Sequence, residues 1–294
     1  MNPVPFIARW RLQPKVGDAF DGQLLLDDPA VFAGHYPGAP ILPGTFLVEA
    51  LVQATRTALS SDVGLEQIAF CRFRSPLFPG DQLSAHFLVK DAGAGRALVE
   101  ITAQGRAPAA ELSLLVAPVH AATPDCPAPA VEATRGRVLD PTFIARILPH
   151  RPPALLVEHA LVLDPCEARP ELRAFKTITA AEPCFADAGS PPTGSYPRSL
   201  VVESFCQSCG LLRAAIAGPA DPRDGTRVPV VAKLANLRFF GDAALGDRVE
   251  HQVRLDARAP DGAVFSGKAT VSGRVIMQVE RVVAATAPIA PAGR

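Results

Sequence analysis

Two stretches of the sequence place proton-exchanging side chains in apolar surroundings. His35 lies in FAGHYPGAPILPG, a run rich in Gly and Pro, and Glu49 follows 14 residues later in an apolar segment. A second apolar segment contains Glu203, with Gln207 four residues further on. An imidazole titrates near neutral pH, and apolar surroundings favour the protonated form of a carboxyl group. These residue types predict general acid–base chemistry.

The acidic residues belong to two segments that we expect to form buried helices, at residues 45–59 and 199–217. Both segments are apolar almost all round, and a helix without a polar face has to be covered on every side. After each of them, apolar and polar residues alternate in runs such as QLSAHFLV and RVEHQVRLD, separated by turn-forming AGAG and PDGA. This pattern predicts an antiparallel sheet. The economical assembly is an α+β architecture in which a sheet wraps one central helix, the hot-dog fold.

The sequence contains this unit twice. PGTFLVEALVQA and PRSLVVESFCQS match at a spacing of 154 positions, and CRFRSPLFPGDQL and LRFFGDAALGDRV match at a spacing of 166. Because the order of the two motifs is the same in both halves, we interpret the chain as a tandem duplication, with a short insertion in the second copy. The sequence therefore predicts a double hot-dog.

The composition sets the expected boundaries of the two copies. A stretch rich in Pro and Ala separates them, and similar residues end the chain. We expect an N-terminal hot-dog unit carrying the histidine at residues 1–118, a linker at 119–140, a C-terminal unit carrying Glu203 at 141–285, and a loose tail at 286–294.

Charge and hydropathy exclude several classes of function. The 29 Lys and Arg balance the 29 Asp and Glu, so the chain lacks the positive field that would attract nucleic acid. Charges, Pro or Gly interrupt every apolar run before it could span a membrane, and the first residues do not resemble a secretion signal. The six cysteines are scattered along the chain, which favours reduced thiols. We expect a cytoplasmic protein.

A family resemblance is carried by GHYPGAPILPGTFLVEALVQA, in which a His, three Pro, two Gly, a Glu and a Gln stand in register. This run resembles the signature of the hot-dog 3-hydroxyacyl-acyl-carrier-protein dehydratases of bacterial fatty acid synthesis. The second copy resembles that family through Ile147–Pro165 and through VVESFCQSCGLL, and the tandem form resembles the dehydratase domains of polyketide synthases. The resemblance implies one working site that pairs His35 with Glu203. Glu49 would face a degenerate site, because Gly189 stands where the second copy would need a histidine.

The resemblance also implies the reaction, the loss of water from a (3R)-3-hydroxyacyl thioester to give a trans-2-enoyl thioester in fatty acid, polyene or polyketide synthesis. His35 would act as the base at C2 and Glu203 as the acid for the departing hydroxyl. Gly44, which follows Pro43 at the start of the helix, would present a free N–H to the thioester oxygen and would let the substrate approach closely. Gln207 would orient the carboxyl group of Glu203.

This chemistry requires no metal and no other cofactor. The acyl group would be carried on the phosphopantetheine of an acyl carrier protein, which is the expected partner. An acidic carrier protein would prefer exposed arginines such as Arg72, Arg74 and Arg198. Free edge strands would also allow two double hot-dogs to pair as a homodimer.

Two other functions fit the same fold. A hot-dog thioesterase would use its carboxylate to activate water and would release the free acid, although His35 in GHYPG argues against it. A non-catalytic acyl-binding or partner subunit would fit the loss of one site. We expect His150 and Arg151 to serve packing and capping, and Cys206 and Cys209 to be core residues, not metal ligands.

Overall fold

The computed structural model describes residues 9–15, 17–36, 40–119, 136–163, 169–185, 195–217, 227–259 and 262–288. Its helices are α1 (Gly44–Leu59), α2 (Pro141–Ile147) and α3 (Arg198–Ala217). Its strands are β1 (Arg11–Pro14), β2 (Ala19–Leu25), β3 (Val63–Phe73), β4 (Gln82–Gly93), β5 (Arg96–Gln104), β6 (Pro108–Pro118), β7 (Arg137–Leu139), β8 (His159–Leu163), β9 (Glu171–Thr177), β10 (Arg227–Phe239), β11 (Arg248–Ala259), β12 (Gly262–Val271) and β13 (Arg274–Pro288).

The 13 strands form one antiparallel sheet whose two halves repeat each other. The order is β1-β2-β4-β5-β6-β3-β10-β13-β12-β11-β9-β8-β7. Read outward from the centre, β3-β6-β5-β4-β2 in the first half corresponds to β10-β13-β12-β11-β9 in the second. This is the double hot-dog that the repeated motifs predict, and the prediction is confirmed.

Strands β3 and β10 join the two halves by direct antiparallel pairing. Ile68 pairs with Leu237, and Cys71 pairs with Leu234. All four side chains are buried, so the junction is part of the hydrophobic core and excludes water. The halves therefore share one continuous sheet.

Helices α1 and α3 lie in the interior and contact each other. Helix α1 begins after Pro43 and ends at Leu59, and its C-cap residue Ser60 adopts a left-handed conformation with φ 47°. The observed starts lie one residue before the predicted starts, because Gly44 and Arg198 already form the first turn. None of the helices in the described ranges is long and apolar enough to cross a membrane.

The structure corrects two of the expected boundaries. Strand β7 falls inside the stretch predicted as linker, where it pairs with β8, and Asp140 then caps α2 by accepting a hydrogen bond from the N–H of Phe143 at 2.8 Å. Strand β13 continues to Pro288, inside the predicted tail, because it pairs with β10 up to that residue. Residues 120–135 and 289–294 lie outside the described residues.

Candidate active site

His35 is a buried side chain whose tautomer is set by one hydrogen bond. Its Nδ1 lies 2.8 Å from the carbonyl oxygen of Ile41. Because a carbonyl oxygen can only accept, Nδ1 carries the proton, and in the neutral ring Nε2 keeps its lone pair. Burial lowers the pKa of His35 below its ordinary value of 6.5, against smaller opposing effects of the Glu203 charge and of the Ile41 carbonyl. The ring is therefore available as a base at neutral pH.

The loop that carries His35 is locked against residues of the second unit. Gly34 has φ +74°, and a Cβ atom there would lie 2.0 Å from the carbonyl oxygen of Arg151. The N–H of Arg151 in turn donates to the carbonyl of Gly34 at 2.7 Å. On the other side of His35, the hydroxyl of Tyr36 donates to the carbonyl of Pro229. Only a glycine at position 34 permits this close approach.

Glu203 reaches the same place from α3, and its two oxygens have different partners. The hydroxyl of Thr45, at the start of α1, donates to Oε2 at 2.8 Å. The side-chain amide of Gln207 donates to Oε1 at 3.1 Å, and Nε2 of His150 lies 3.6 Å from the same oxygen. Glu203 is 9% exposed, so these contacts, and not bulk water, decide the orientation of its carboxyl group.

Gln207 is itself held in one orientation by the backbone. Its Oε1 accepts from the N–H of Leu156 at 3.0 Å, and its Nε2 donates to the carbonyl of Ala154 at 2.7 Å. An N–H must face an oxygen, so these two contacts fix which end of the amide faces Glu203. Oε1 of Glu203 is therefore an acceptor. The expected orienting contact is present in the structure.

His150 also belongs to this cluster, a position that the sequence did not indicate. Its ring centroid lies 5.1 Å from that of His35. Burial lowers its pKa to about 4, so the ring is neutral. Arg151 is the residue that serves the local backbone, because its guanidinium donates to the carbonyls of Leu148 and His150 at 2.9 and 2.7 Å. The run LPHRPP was the available signal, but nothing in it shows that the segment crosses to the other unit.

Gly44 begins α1 and lines a cavity, and the packing around it gives a further reason for a glycine. The first N–H groups of a helix have no partner within the helix, so the N–H of Gly44 is available to a ligand. A Cβ atom at this position would lie 2.7 Å from the ring of Phe73. The absence of a side chain is thus required by the packing of Phe73, in addition to any approach of a substrate. Pro43 is the N-cap residue of the helix and has no capping side chain.

The cluster opens onto a cavity of about 360 Å³ with mainly apolar walls. Leu47 and Phe73 contribute from the first unit, and Cys206, Cys209 and Phe265 from the second. Cys209 is buried and Cys206 half-buried, so the two residues expected in the core lie between core and cavity. An apolar cavity with a few convergent polar groups is the form of a site for a small ligand.

The second half of the duplication has different residues at positions that correspond to this site. Arg198 stands where the first copy has Gly44, and Ser199 stands where it has Thr45. The Nε of Arg198 lies 2.6 Å from Oδ1 of Asp242, its guanidinium donates to the carbonyl of Leu65 at 2.6 Å, and its charge lies 5.1 Å from the ring centroid of Phe239. Arg198 is therefore not the exposed docking residue that we expected.

Glu49, expected to face a degenerate site, lies beside Ser199. Burial raises the pKa of Glu49, against smaller effects of Ser199, Arg56 and Gln53. Gly189, expected in place of a histidine, lies outside the described residues. Of the two other arginines expected to dock a carrier protein, Arg72 is exposed and Arg74 is exposed but paired with Glu111 at 2.8 Å.

Comparisons with known proteins agree with the fold. The family model described as ApeI-like, ApeI dehydratase, matches residues 21–107. The dehydratase domain of PpsC from Mycobacterium tuberculosis, solved in complex with C12:1-CoA, is similar at 20% identity and a TM-score of 0.62, covering 96% of this chain and 98% of that domain. The dehydratase domain of a mycocerosic acid synthase-like polyketide synthase is similar at 14% identity and a TM-score of 0.65, covering 96% of each chain. These two structures share the fold.

Two sequence relatives are enzymes named 3-hydroxyacyl-[acyl-carrier-protein] dehydratase FabZ. The one from Tolumonas auensis is 30% identical over 142 residues, which are 48% of this chain and 91% of the relative. The one from Anaeromyxobacter sp. (strain Fw109-5) is 31% identical over 151 residues, which are 51% of this chain and 91% of the relative. The chain therefore belongs to the family of 3-hydroxyacyl-[acyl-carrier-protein] dehydratases.

Proposed function

We propose that this chain converts (3R)-3-hydroxyacyl thioesters to trans-2-enoyl thioesters at one composite site. The observation that carries the proposal is the meeting of His35 from the N-terminal unit with Glu203 from the C-terminal unit at one wall of the cavity. A neutral imidazole and a carboxyl group are the two proton carriers that the elimination of water requires.

In the proposed reaction, Nε2 of His35 takes the proton from C2 of the substrate. The bond between C3 and its oxygen breaks, and the departing hydroxyl receives the proton of Glu203 from Oε2, so that water and the enoyl thioester are formed. The enzyme is left with a protonated His35 and an ionised Glu203. Transfer of the proton from the imidazolium back to the carboxylate restores the starting state.

Negative charge that develops on the thioester oxygen needs a donor in place before the reaction begins. We assign this role to the N–H of Gly44, at the positive end of the α1 dipole. The acyl chain would occupy the apolar cavity beyond it. The carboxyl group of Glu203 would be oriented by Gln207 and Thr45.

An acyl carrier protein would deliver the thioester on its phosphopantetheine, and the chemistry needs no further cofactor. We place the enzyme in the cytoplasm, where such carriers act in fatty acid or polyketide synthesis. A homodimer of double hot-dogs would use the outer strands β1 and β7, which are the edges of the sheet in the described part of the chain.

The test is an intact-mass assay of 3-hydroxyacyl carrier protein incubated with wild type, His35→Ala, Glu203→Gln and Glu49→Gln. We expect the wild type and Glu49→Gln to remove one water and the other two variants to remove none. Glu49→Gln is a matched control, because it makes the same change on the equivalent helix at the degenerate site.

The same assay separates the other two functions. Loss of the whole acyl group would identify a thioesterase. Unchanged substrate across several acyl chain lengths, with binding intact, would identify a non-catalytic acyl-binding subunit. Dehydration that survives His35→Ala would contradict the composite site.

A further inference from the structure

His35, His150 and Glu203 form a set of side chains of the kind that holds a transition metal. One ring nitrogen of each histidine and one carboxylate oxygen all lie within 4.8 Å of one another. Each of the three residues is at most 9% exposed. No sequence pattern indicates this set, because the three residues lie far apart in the chain.

We propose that this cluster binds Zn²⁺ when no acyl substrate is present, and that the bound ion blocks dehydration. Two imidazoles and one carboxylate are ligands that zinc accepts, and sites with three protein ligands keep a fourth position open. Mg²⁺ and Ca²⁺ prefer sites built from oxygen atoms, so the cluster discriminates against them.

The distances are close to those that a tetrahedral zinc site needs. With metal–ligand bonds of about 2.1 Å, neighbouring ligand atoms are about 3.4 Å apart. Nε2 of His150 and Oε1 of Glu203 are 3.6 Å apart. The side chains line the cavity, and their rotation would bring the remaining ligand atom, Nε2 of His35, to a similar distance from the other two.

The surrounding groups resemble those that orient metal ligands. A ligating histidine usually donates its other ring N–H to a carbonyl or a carboxylate, and His35 donates Nδ1–H to Ile41. Ligating carboxylates are also hydrogen-bonded, and Glu203 accepts from Thr45 and Gln207. Nδ1 of His150 is buried and has no hydrogen-bond partner in the described part of the chain. The ring can therefore turn toward an ion without breaking a hydrogen bond of that atom.

Zinc in this position would compete directly with the substrate. A ligating Nε2 of His35 has no lone pair left to take the proton from C2. The open coordination position would face the cavity, where the thioester has to enter. Among the residues that the structure describes, the degenerate site offers no equivalent set, and Glu49 lies beside Ser199 and Gln53.

The metal-free full-length protein can be titrated with Co²⁺, which replaces Zn²⁺ and absorbs visible light in tetrahedral sites. We expect one equivalent of Co²⁺ to produce these bands and Zn²⁺ to abolish them. His150→Gln and His35→Gln should each weaken binding by at least about 100-fold, because losing even an outer-shell partner costs about 10- to 100-fold. His86→Gln is the control, because His86 is an exposed strand histidine that contacts Asp21 at 2.8 Å.

An activity assay completes the test. Zn²⁺ should inhibit the wild type and His86→Gln, a chelator should restore both, and Mg²⁺ should have no effect. Absence of the Co²⁺ bands, or bands that persist in both ligand variants with unchanged circular dichroism, would overturn the proposal. The Co²⁺ spectrum does not depend on turnover. Metal binding can therefore be measured even if the protein proves not to be a dehydratase.

Discussion

The hydrogen bond from Thr45 to Glu203 gives a direct test of how the N-terminal unit positions the proposed catalytic acid of the C-terminal unit. Thr45→Val removes the hydroxyl and keeps the shape of the side chain. The bond is 2.8 Å long and buried, and its two residues come from different units. We expect the variant to fold normally and to lose activity, because Oε2 of Glu203 would no longer be held toward the substrate.

The size of the effect follows from the kind of hydrogen bond. A bond to a group that becomes charged during the reaction contributes about 1.5–3 kcal/mol, and about 1.4 kcal/mol corresponds to a tenfold change in rate. The expected loss in kcat/KM is therefore about 10- to 150-fold. A value near the lower end is expected, because Gln207 still holds Oε1.

The duplication supplies the matched control, Ser199→Ala. Ser199 occupies in the second copy the position that Thr45 occupies in the first, and it lies beside Glu49. Kinetics of enoyl thioester formation, measured for both variants together with thermal unfolding, complete the assay. Equal losses in the two variants, or a Thr45→Val enzyme with wild-type kcat/KM, would refute the assignment of Oε2 as the acid.

Three further predictions concern pH and packing. Burial lowers the pKa of His35, so its basic form persists below pH 6.5. In the pH profile of kcat/KM, the loss of activity on the acidic side should therefore have an apparent pKa below 6.5, and a value above 6.5 would contradict the assigned base. Gly44→Ala should destabilise the fold by about 1–3 kcal/mol in urea unfolding, and Phe73→Leu should restore part of this loss, because the new methyl group meets the ring of Phe73. Burial lowers the pKa of His251 to about 3 in the folded state, so the unfolded state binds more protons between pH 6.5 and 3. This residue should therefore lower the free energy of unfolding by up to about 1.4 kcal/mol for each pH unit below 6.5. In urea unfolding, the free energy of unfolding of His251→Gln should depend less steeply on pH than that of the wild type.

The sequence predicted those parts of the fold that depend on local patterns of residues. The apolar runs of α1 and α3 place both helices to within one residue at their starts, and the repeated motifs predict that the sheet consists of two equivalent halves. The position of Glu203 on a buried helix follows from the same pattern. The end of β13 was missed, because its last residues look like the tail in composition and are ordered only by pairing with β10.

The parts of the site that the sequence did not reveal depend on contacts between residues that lie far apart in the chain. Thr45 adjoins Gly44 in the most recognisable motif of the chain, yet its partner is 158 residues away. His150 stands in a proline-rich segment whose docking onto Gly34 is visible only in three dimensions. Arg198 looked like a surface charge, but Asp242 and the carbonyl of Leu65 bind it.

The shared sheet at β3 and β10 has a consequence for how the enzyme behaves on dilution. A site assembled from two separate chains falls apart as the concentration approaches the dissociation constant, and its activity per mole then declines. Here the peptide chain itself keeps the halves together, so their effective concentration is independent of the amount of protein. Activity per mole should stay constant down to the lowest concentration that can be assayed. Covalent linkage also allows each half to accumulate its own substitutions. A change such as the arginine at position 198 alters one half of the molecule and leaves the other half unchanged.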